Sequence, residues 1–177
     1  MDLLTVKHNA EVLIGDYQFA SSLNDEVQSL LGNGVENIGH SNVKAIHTVW
    51  NWEPKNIIFN KFKSYLINEV EKRCKPGSMV LGDGFPLKMF NFWANIYSKG
   101  DYALPHKHLP YTYSFVYFVK TKWYDSPLVF SNSGKRIRPK VGRYIVFPSF
   151  LEHHVPKHRY KDYRITLSGN MKVEFPK

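Results

Sequence analysis

The chain has 177 residues, 43% of them hydrophobic and 22% charged, which suits one compact domain able to bury roughly two-thirds of its extended surface. No apolar run reaches the ~18–20 residues of a bilayer span, and the single cysteine, Cys74, excludes an intramolecular disulfide or a cysteine-based zinc site. The formal charge of +9 leaves nucleic-acid binding, an acidic substrate and plain solubility open, because the basic residues from Lys120 to Arg143 are interrupted by apolar positions.

Met1 to Lys7 is apolar too briefly for a signal peptide, and a reducing, cytoplasmic setting is expected. The first predicted helix runs near Gln18 to Leu31, with Phe19, Leu23, Val27, Leu30 and Leu31 at helical spacing and Gly32-Asn33-Gly34 as its stop. Trp50-Asn51-Trp52 follows in a polar stretch. Its plain role is to pack a helical layer on a sheet, and substrate stacking is the alternative. A second helix is predicted near Asn56 to Cys74, where Ile57, Ile58, Phe62, Tyr65, Leu66 and Val70 form an apolar stripe ended by Lys75-Pro76-Gly77-Ser78.

After about residue 85 the pattern changes to short alternating runs. Strands are predicted at Met89–Tyr97, Thr112–Lys120, Leu128–Ser131, Gly142–Phe147 and Tyr163–Ser168, with a last one at Lys172–Phe175. The fold class expected is mainly β with N-terminal helices: one domain, 1–177, with a helical support layer over 1–84 and a β core over 85–177.

His106-x-His108 precedes one strand and His153 follows another. In extended backbone both members of the pair point to one face, and a third imidazole completes one face of an octahedron with positions left open. An H-x-H pair on a solvated loop is the plain alternative. In Tyr163 to Asn170, alternation puts Arg164, Thr166, Ser168 and Asn170 on one face and Ile165 and Leu167 on the other. The polar row either faces solvent or lines the barrel, where Arg164 would grip a carboxylate with a planar fork assisted by Thr166.

Together, Trp93-Ala94-Asn95, Gly100, His106-x-His108-x-Pro110, Gly142 to Val155 and Arg164-x-Thr166-x-Ser168-x-Asn170 resemble the compact phage-type 2-oxoglutarate/iron(II) oxygenases of the prolyl-hydroxylase branch. The resemblance covers about residues 90–170. It implies a double-stranded β-helix, or jelly roll, with iron(II) at His106, His108 and His153. It also implies a dioxygenase that takes 2-oxoglutarate and O2, releases succinate and CO2, and hydroxylates a second substrate. By position, Arg164 binds the far carboxylate of 2-oxoglutarate, Thr166 assists it, and Asn95 and Tyr97 line the cosubstrate site. A peptide or protein side chain is the favoured substrate, nucleic acid an alternative, and the setting the cytoplasm, that of the host for a phage-encoded chain. His108 stands where the commonest pattern has Asp or Glu, so the ligand set contributes no negative charge. Glu152 and Asp101 are the candidates to supply one from behind the ligands.

Two rivals stay open. Gly100, six positions before His106, fits the opening of the cupin metal motif, but Leu109 to Phe115 lacks its glutamate. A non-catalytic β-helix used as a binding module is the other.

Overall fold

The computed structural model describes residues 9–32, 41–73 and 86–174. Among these, two helices and eleven strands follow in the order β1 (Leu13–Asp16), α1 (Ala20–Gly32), β2 (Val43–Lys44), β3 (Ile46–His47), α2 (Ile57–Glu71), β4 (Leu87–Tyr97), β5 (Tyr102–His106), β6 (Tyr113–Lys120), β7 (Leu128–Phe130), β8 (Arg136–Ile137), β9 (Arg143–Pro148), β10 (His153–Val155) and β11 (Arg164–Val173). The strands form two antiparallel sheets, a major one ordered β1-β9-β6-β11-β4-β3 and a minor one ordered β2-β5-β10-β7-β8. The readings at Met1–Lys7, Asn33-Gly34, Cys74 to Ser78 and Phe175 lie outside the described residues.

The major sheet is covered on both faces, which is why its central strands are buried almost throughout. On one face lie the helices. Leu23 and Val27 of α1 and Phe59, Phe62 and Leu66 of α2 pack against Phe92, Phe115, Tyr117, Ile165, Leu167 and Met171. Asn56 starts α2 as a cap in extended backbone, its side-chain oxygen accepting from the Ile58 amide at 2.8 Å while its amide nitrogen donates to Glu26 of α1. On the other face the minor sheet closes over Tyr97, Val116, Phe118, Ile145 and Phe147.

The alternation of β11 is thereby resolved: the polar row is inside. Ile165, Leu167 and Met171 face the helices, while Arg164, Thr166, Ser168 and Asn170 are buried on the opposite, barrel-lining face. The strands predicted at Tyr163–Ser168 and from Lys172 onward are, over Arg164–Val173, one strand that runs through Gly169-Asn170 and shifts register at Asn170/Met171. Gly169 stands mid-strand because neighbours approach it closely. A Cβ there would run into the Asn91 carbonyl oxygen and lie 2.6 Å from the Phe115 ring.

The first half of the chain supplies more than helices. β1 extends the major sheet against β9, β3 pairs with β4, and β2 caps the minor sheet beside β5. Of the two tryptophans in the Trp50 segment, Trp52 packs on Phe59 and Phe92 in the helical layer. Trp50 instead sits between His47 and Trp93.

Candidate active site

The site begins with strand register. β5 and β10 pair so that His106 stands directly opposite His153, which brings out two imidazoles from different strands at one level. His108 lies two residues beyond β5, where its amide donates to the Ser149 carbonyl at 2.9 Å and its carbonyl accepts from the Tyr111 amide at 3.0 Å. The ring centroids of His106, His108 and His153 are 4.4 to 5.1 Å apart, and one nitrogen from each ring lies within 4.8 Å of the others. Such a group could hold one divalent ion at ~2.1 Å from each nitrogen.

Hydrogen bonding selects the ligating nitrogens. Nδ1 of His106 meets the Leu104 carbonyl at 2.6 Å, and Nδ1 of His153 meets the Leu151 carbonyl at 3.0 Å. A carbonyl can only accept, so both Nδ1 atoms carry the proton and both Nε2 lone pairs are free to ligate. Burial, aided by the neighbouring imidazoles, pushes His108 and His153 down to about 3. Burial also lowers His106, against the raising effects of the Leu104 carbonyl and the Glu152 charge. At neutral pH all three rings are neutral, the form a metal requires.

Glu152 and Asp101 do not hydrogen-bond to these rings. Asp101 accepts from the Ser98 amide in the turn around Gly100, whose φ of +98° suits glycine, and Glu152 reaches His106 only through space. Main-chain carbonyls two residues before His106 and His153 take the position expected for a carboxylate, because that short reach needs no other strand. His154 lies outside the triad, its Nδ1 3.0 Å from the Ser131 hydroxyl.

Deeper in the barrel, Arg164 is 1% exposed and pairs with Tyr97 across β4, as Thr166 pairs with Asn95. The guanidinium carbon lies 4.8 Å from the Tyr97 ring centroid and 5.2 Å from that of Phe118, so two aromatic faces flank the cation. Its Nε and Nη1 are buried without a hydrogen-bond partner. No acidic side chain forms an ion pair with it among the described residues. Asn95 donates to the Thr166 and Ser168 hydroxyls at 3.3 and 3.2 Å and accepts from the Trp93 indole at 3.2 Å, which fixes the polar wall. One pocket is lined by Arg164, Thr166, Asn95 and Tyr97 together with all three histidines. The unpaired buried donors of Arg164 suit an anionic group and the neutral imidazoles suit a metal, and both line this one pocket.

Outside this pocket a cleft of about 630 Å³ opens past His106 and His108, bordered by Trp50, Trp93, Tyr111, Lys44 and Lys107. Sequence reasoning missed Phe118 behind Arg164 and missed the place of Lys44 and Lys107 in this cleft. Alternation could have found Phe118, which shares its face of β6 with Ser114 and Val116, but Lys44 carries no local signal.

No family model matches the chain, and no curated protein gives a significant match. Solved structures do match. The viral collagen prolyl hydroxylase of Paramecium bursaria Chlorella virus-1, in complex with 2-oxoglutarate, is 14% identical with a TM-score of 0.66, over 90% of this chain and 94% of that one. A Trichoplax adhaerens prolyl hydroxylase in complex with a hypoxia inducible factor peptide is 15% identical with a TM-score of 0.66, over 91% and 83%. HygX of Streptomyces hygroscopicus, with nickel, 2-oxoglutarate and hygromycin B bound, is 9% identical with a TM-score of 0.68, over 94% and 84%.

The fold is that of the 2-oxoglutarate/iron(II) oxygenases. The jelly roll expected from the sequence motifs is thus borne out, and at these identities the likeness speaks for the fold.

Proposed function

We propose that this chain is an iron(II)- and 2-oxoglutarate-dependent dioxygenase that hydroxylates a peptide or protein side chain. His106, His108 and His153 hold the metal through neutral imidazoles. Arg164 holds the far carboxylate of 2-oxoglutarate, with Thr166, Asn95 and Tyr97 lining the same pocket. The observation that carries this reading is the buried guanidinium with two unpartnered donors in the pocket that also contains the histidines. A cupin would not need an anion anchor there, and a non-catalytic module would not need one in line with a ligand set.

When bound, iron(II) supplies the oxygen-activating chemistry, and the balance is 2-oxoglutarate, O2 and a C–H bond giving succinate, CO2 and a C–OH bond. Arg164 orients the cosubstrate by its fixed fork, and Tyr97 and Phe118 exclude water behind it. The outer cleft admits the second substrate beside His106 and His108. A peptide is favoured because one structural neighbour is a prolyl hydroxylase holding a peptide. The narrower kinship with compact phage-type enzymes, and with it a host-cytoplasmic setting, rests on the sequence motifs. No helix among the described residues is long and apolar enough to cross a membrane.

The test is anaerobic titration of the iron(II)-loaded protein with 2-oxoglutarate, read by the visible charge-transfer band of the chelate. Arg164→Ala should cost roughly 150- to 5,000-fold in cosubstrate affinity, the equivalent of ~3–5 kcal/mol for breaking a buried charge pair. Arg164→Lys should also be impaired, because a point charge cannot reproduce the fork. Metal content should stay at one ion per chain. Affinity within about threefold of wild type in both variants would sink the anchor role and favour the cupin.

A further inference from the structure

The active-site cleft does not account for the most exposed aromatic among the described residues. Trp123 is 71% exposed, in the loop between β6 and β7. That loop, Lys120-Thr121-Lys122-Trp123-Tyr124-Asp125, meets the loop before β11, Lys157-His158-Arg159-Tyr160-Lys161-Asp162-Tyr163. Tyr124 and Tyr160 lie 4.4 Å apart at their centroids, Trp123 packs edge-on to Tyr124, and the Ser126 hydroxyl donates to the Lys157 carbonyl at 3.1 Å. The two segments therefore form one surface.

Its cations are unpaired. Lys120, Lys122, Lys157, Arg159 and Lys161 make no ion pair among the described residues, whereas Glu69, Glu174 and Asp16 elsewhere each hold a lysine or an arginine. Of the two acids in these segments, Asp125 is buried and takes its bonds from Thr121 and the Lys122 amide, which leaves Asp162 as the exposed one. Lys120 lies over the Tyr163 ring at 3.9 Å. Basic and flat aromatic groups are thus interleaved on one surface, with Asp162 the one exposed carboxylate of the two segments and no ion pair formed among the described residues.

We infer that this surface binds single-stranded nucleic acid, the cations tracking phosphates and the rings of Trp123 and Tyr160 stacking on bases. A lipid surface fits less well. The large apolar groups exposed here are Trp123, Tyr160 and Tyr163, all rings with a polar atom, and no exposed Leu, Ile or Phe is present to enter an acyl layer. The site is also remote from the cleft. β6 starts beside the His108 turn, through the Ser149–Thr112 and His108–Ser149 bonds, and reaches Lys120 roughly 23 Å further on. The surface serves to hold the enzyme on a strand while the cleft stays open.

The experiment is fluorescence anisotropy of the metal-loaded protein with a labelled twelve-nucleotide dT strand. An abasic strand of equal length, poly-glutamate and phosphatidylglycerol vesicles are run beside it. With five phosphate contacts the slope of log affinity against log salt is about −3.5, so affinity falls about 100-fold between 50 and 200 mM salt. Trp123→Ala should lose about 5- to 150-fold on dT and little on the abasic strand. Lys122→Gln combined with Lys161→Gln should flatten the slope by about 1.4. All these positions are exposed, and retained metal content reports folding. The inference is overturned if dT binds no tighter than poly-glutamate or the vesicles, or if both variants bind dT as wild type does.

Discussion

His106 and His153 are held from behind by main-chain carbonyls, while His108 is placed by the backbone of its turn and by its ring contact with Trp93. A carbonyl acceptor cannot be removed by substituting a side chain, so the first two rings stay oriented through most changes around them. Loss of a ligand itself is different. His106→Ala, His108→Ala and His153→Ala should each weaken metal binding by more than the ~10–100-fold that loss of a partner behind a ligand costs. His154→Ala, whose ring meets Ser131 outside the triad, should retain one ion per chain by elemental analysis. Equal loss in His154→Ala and His153→Ala would place the site one residue away. At this scale the sequence was informative because imidazole pairs and an isolated arginine are chemically conspicuous. What the residues could not disclose was the role of Leu104 and Leu151, whose contribution is a carbonyl that every residue possesses.

β11 is the element that joins the helical core to the pocket. It pairs with β4 and β6, faces the helices with Ile165, Leu167 and Met171, and faces the pocket with Arg164 and Thr166. Gly169 lies in the middle, under the Phe115 ring and against the Asn91 carbonyl. Gly169→Ala should therefore push backbone from backbone, destabilising by ~1–3 kcal/mol as overpacking does, and more if the strand cannot shift. Urea unfolding would show it as a lower midpoint at an unchanged slope, and a midpoint equal to wild type would mean the strand yields freely. The long elements were legible from period alone: α1, α2, β4, β6 and β9 fall within a few residues of their predicted spans. Of the short ones β7 was, predicted at Leu128–Ser131 and found at Leu128–Phe130, and the others were not. β2, β3 and β8 have two residues each and β10 three, so they exist because a neighbour offers hydrogen bonds, not because a local pattern repeats. The same limit hid the cleft, since Lys44 and Trp50 reach it by β2 and β3 pairing with strands about 50 to 60 residues later.

For the whole molecule, the sequence specified which residues of β11 share a face but not which face is inside, because that depends on the minor sheet closing over it from five separate segments. Closure also sets the acid stability of the metal-free protein. In the unfolded chain a histidine titrates near 6.5, whereas His108 and His153 in the folded barrel are held down to about 3, chiefly by burial. Their folded pKa values are depressed, so their contribution is fully present above pH 6.5. It is lost as pH falls towards 3, because the unfolded state takes up protons that the folded state refuses. Two such rings steepen the pH dependence by about 3 kcal/mol per unit once the unfolded histidines are protonated, which is on the order of 5 kcal/mol between pH 7 and pH 4.5. That is comparable to the whole stability of a small domain, so the metal-free protein should unfold in mild acid. The comparison that isolates these rings is denaturant unfolding at pH 7, 5.5 and 4.5 of wild type and of a variant carrying both His108→Asn and His153→Asn. Carboxylates such as Asp16 and Glu69, whose pKa values are lowered by their lysine and arginine partners, contribute in the same direction but equally to both proteins. Wild type should lose stability with acid more steeply than the double variant. Parallel curves would mean that the rings are protonated as readily in the barrel as in water, and that the pocket is not the dry, neutral site from which the metal assignment was argued.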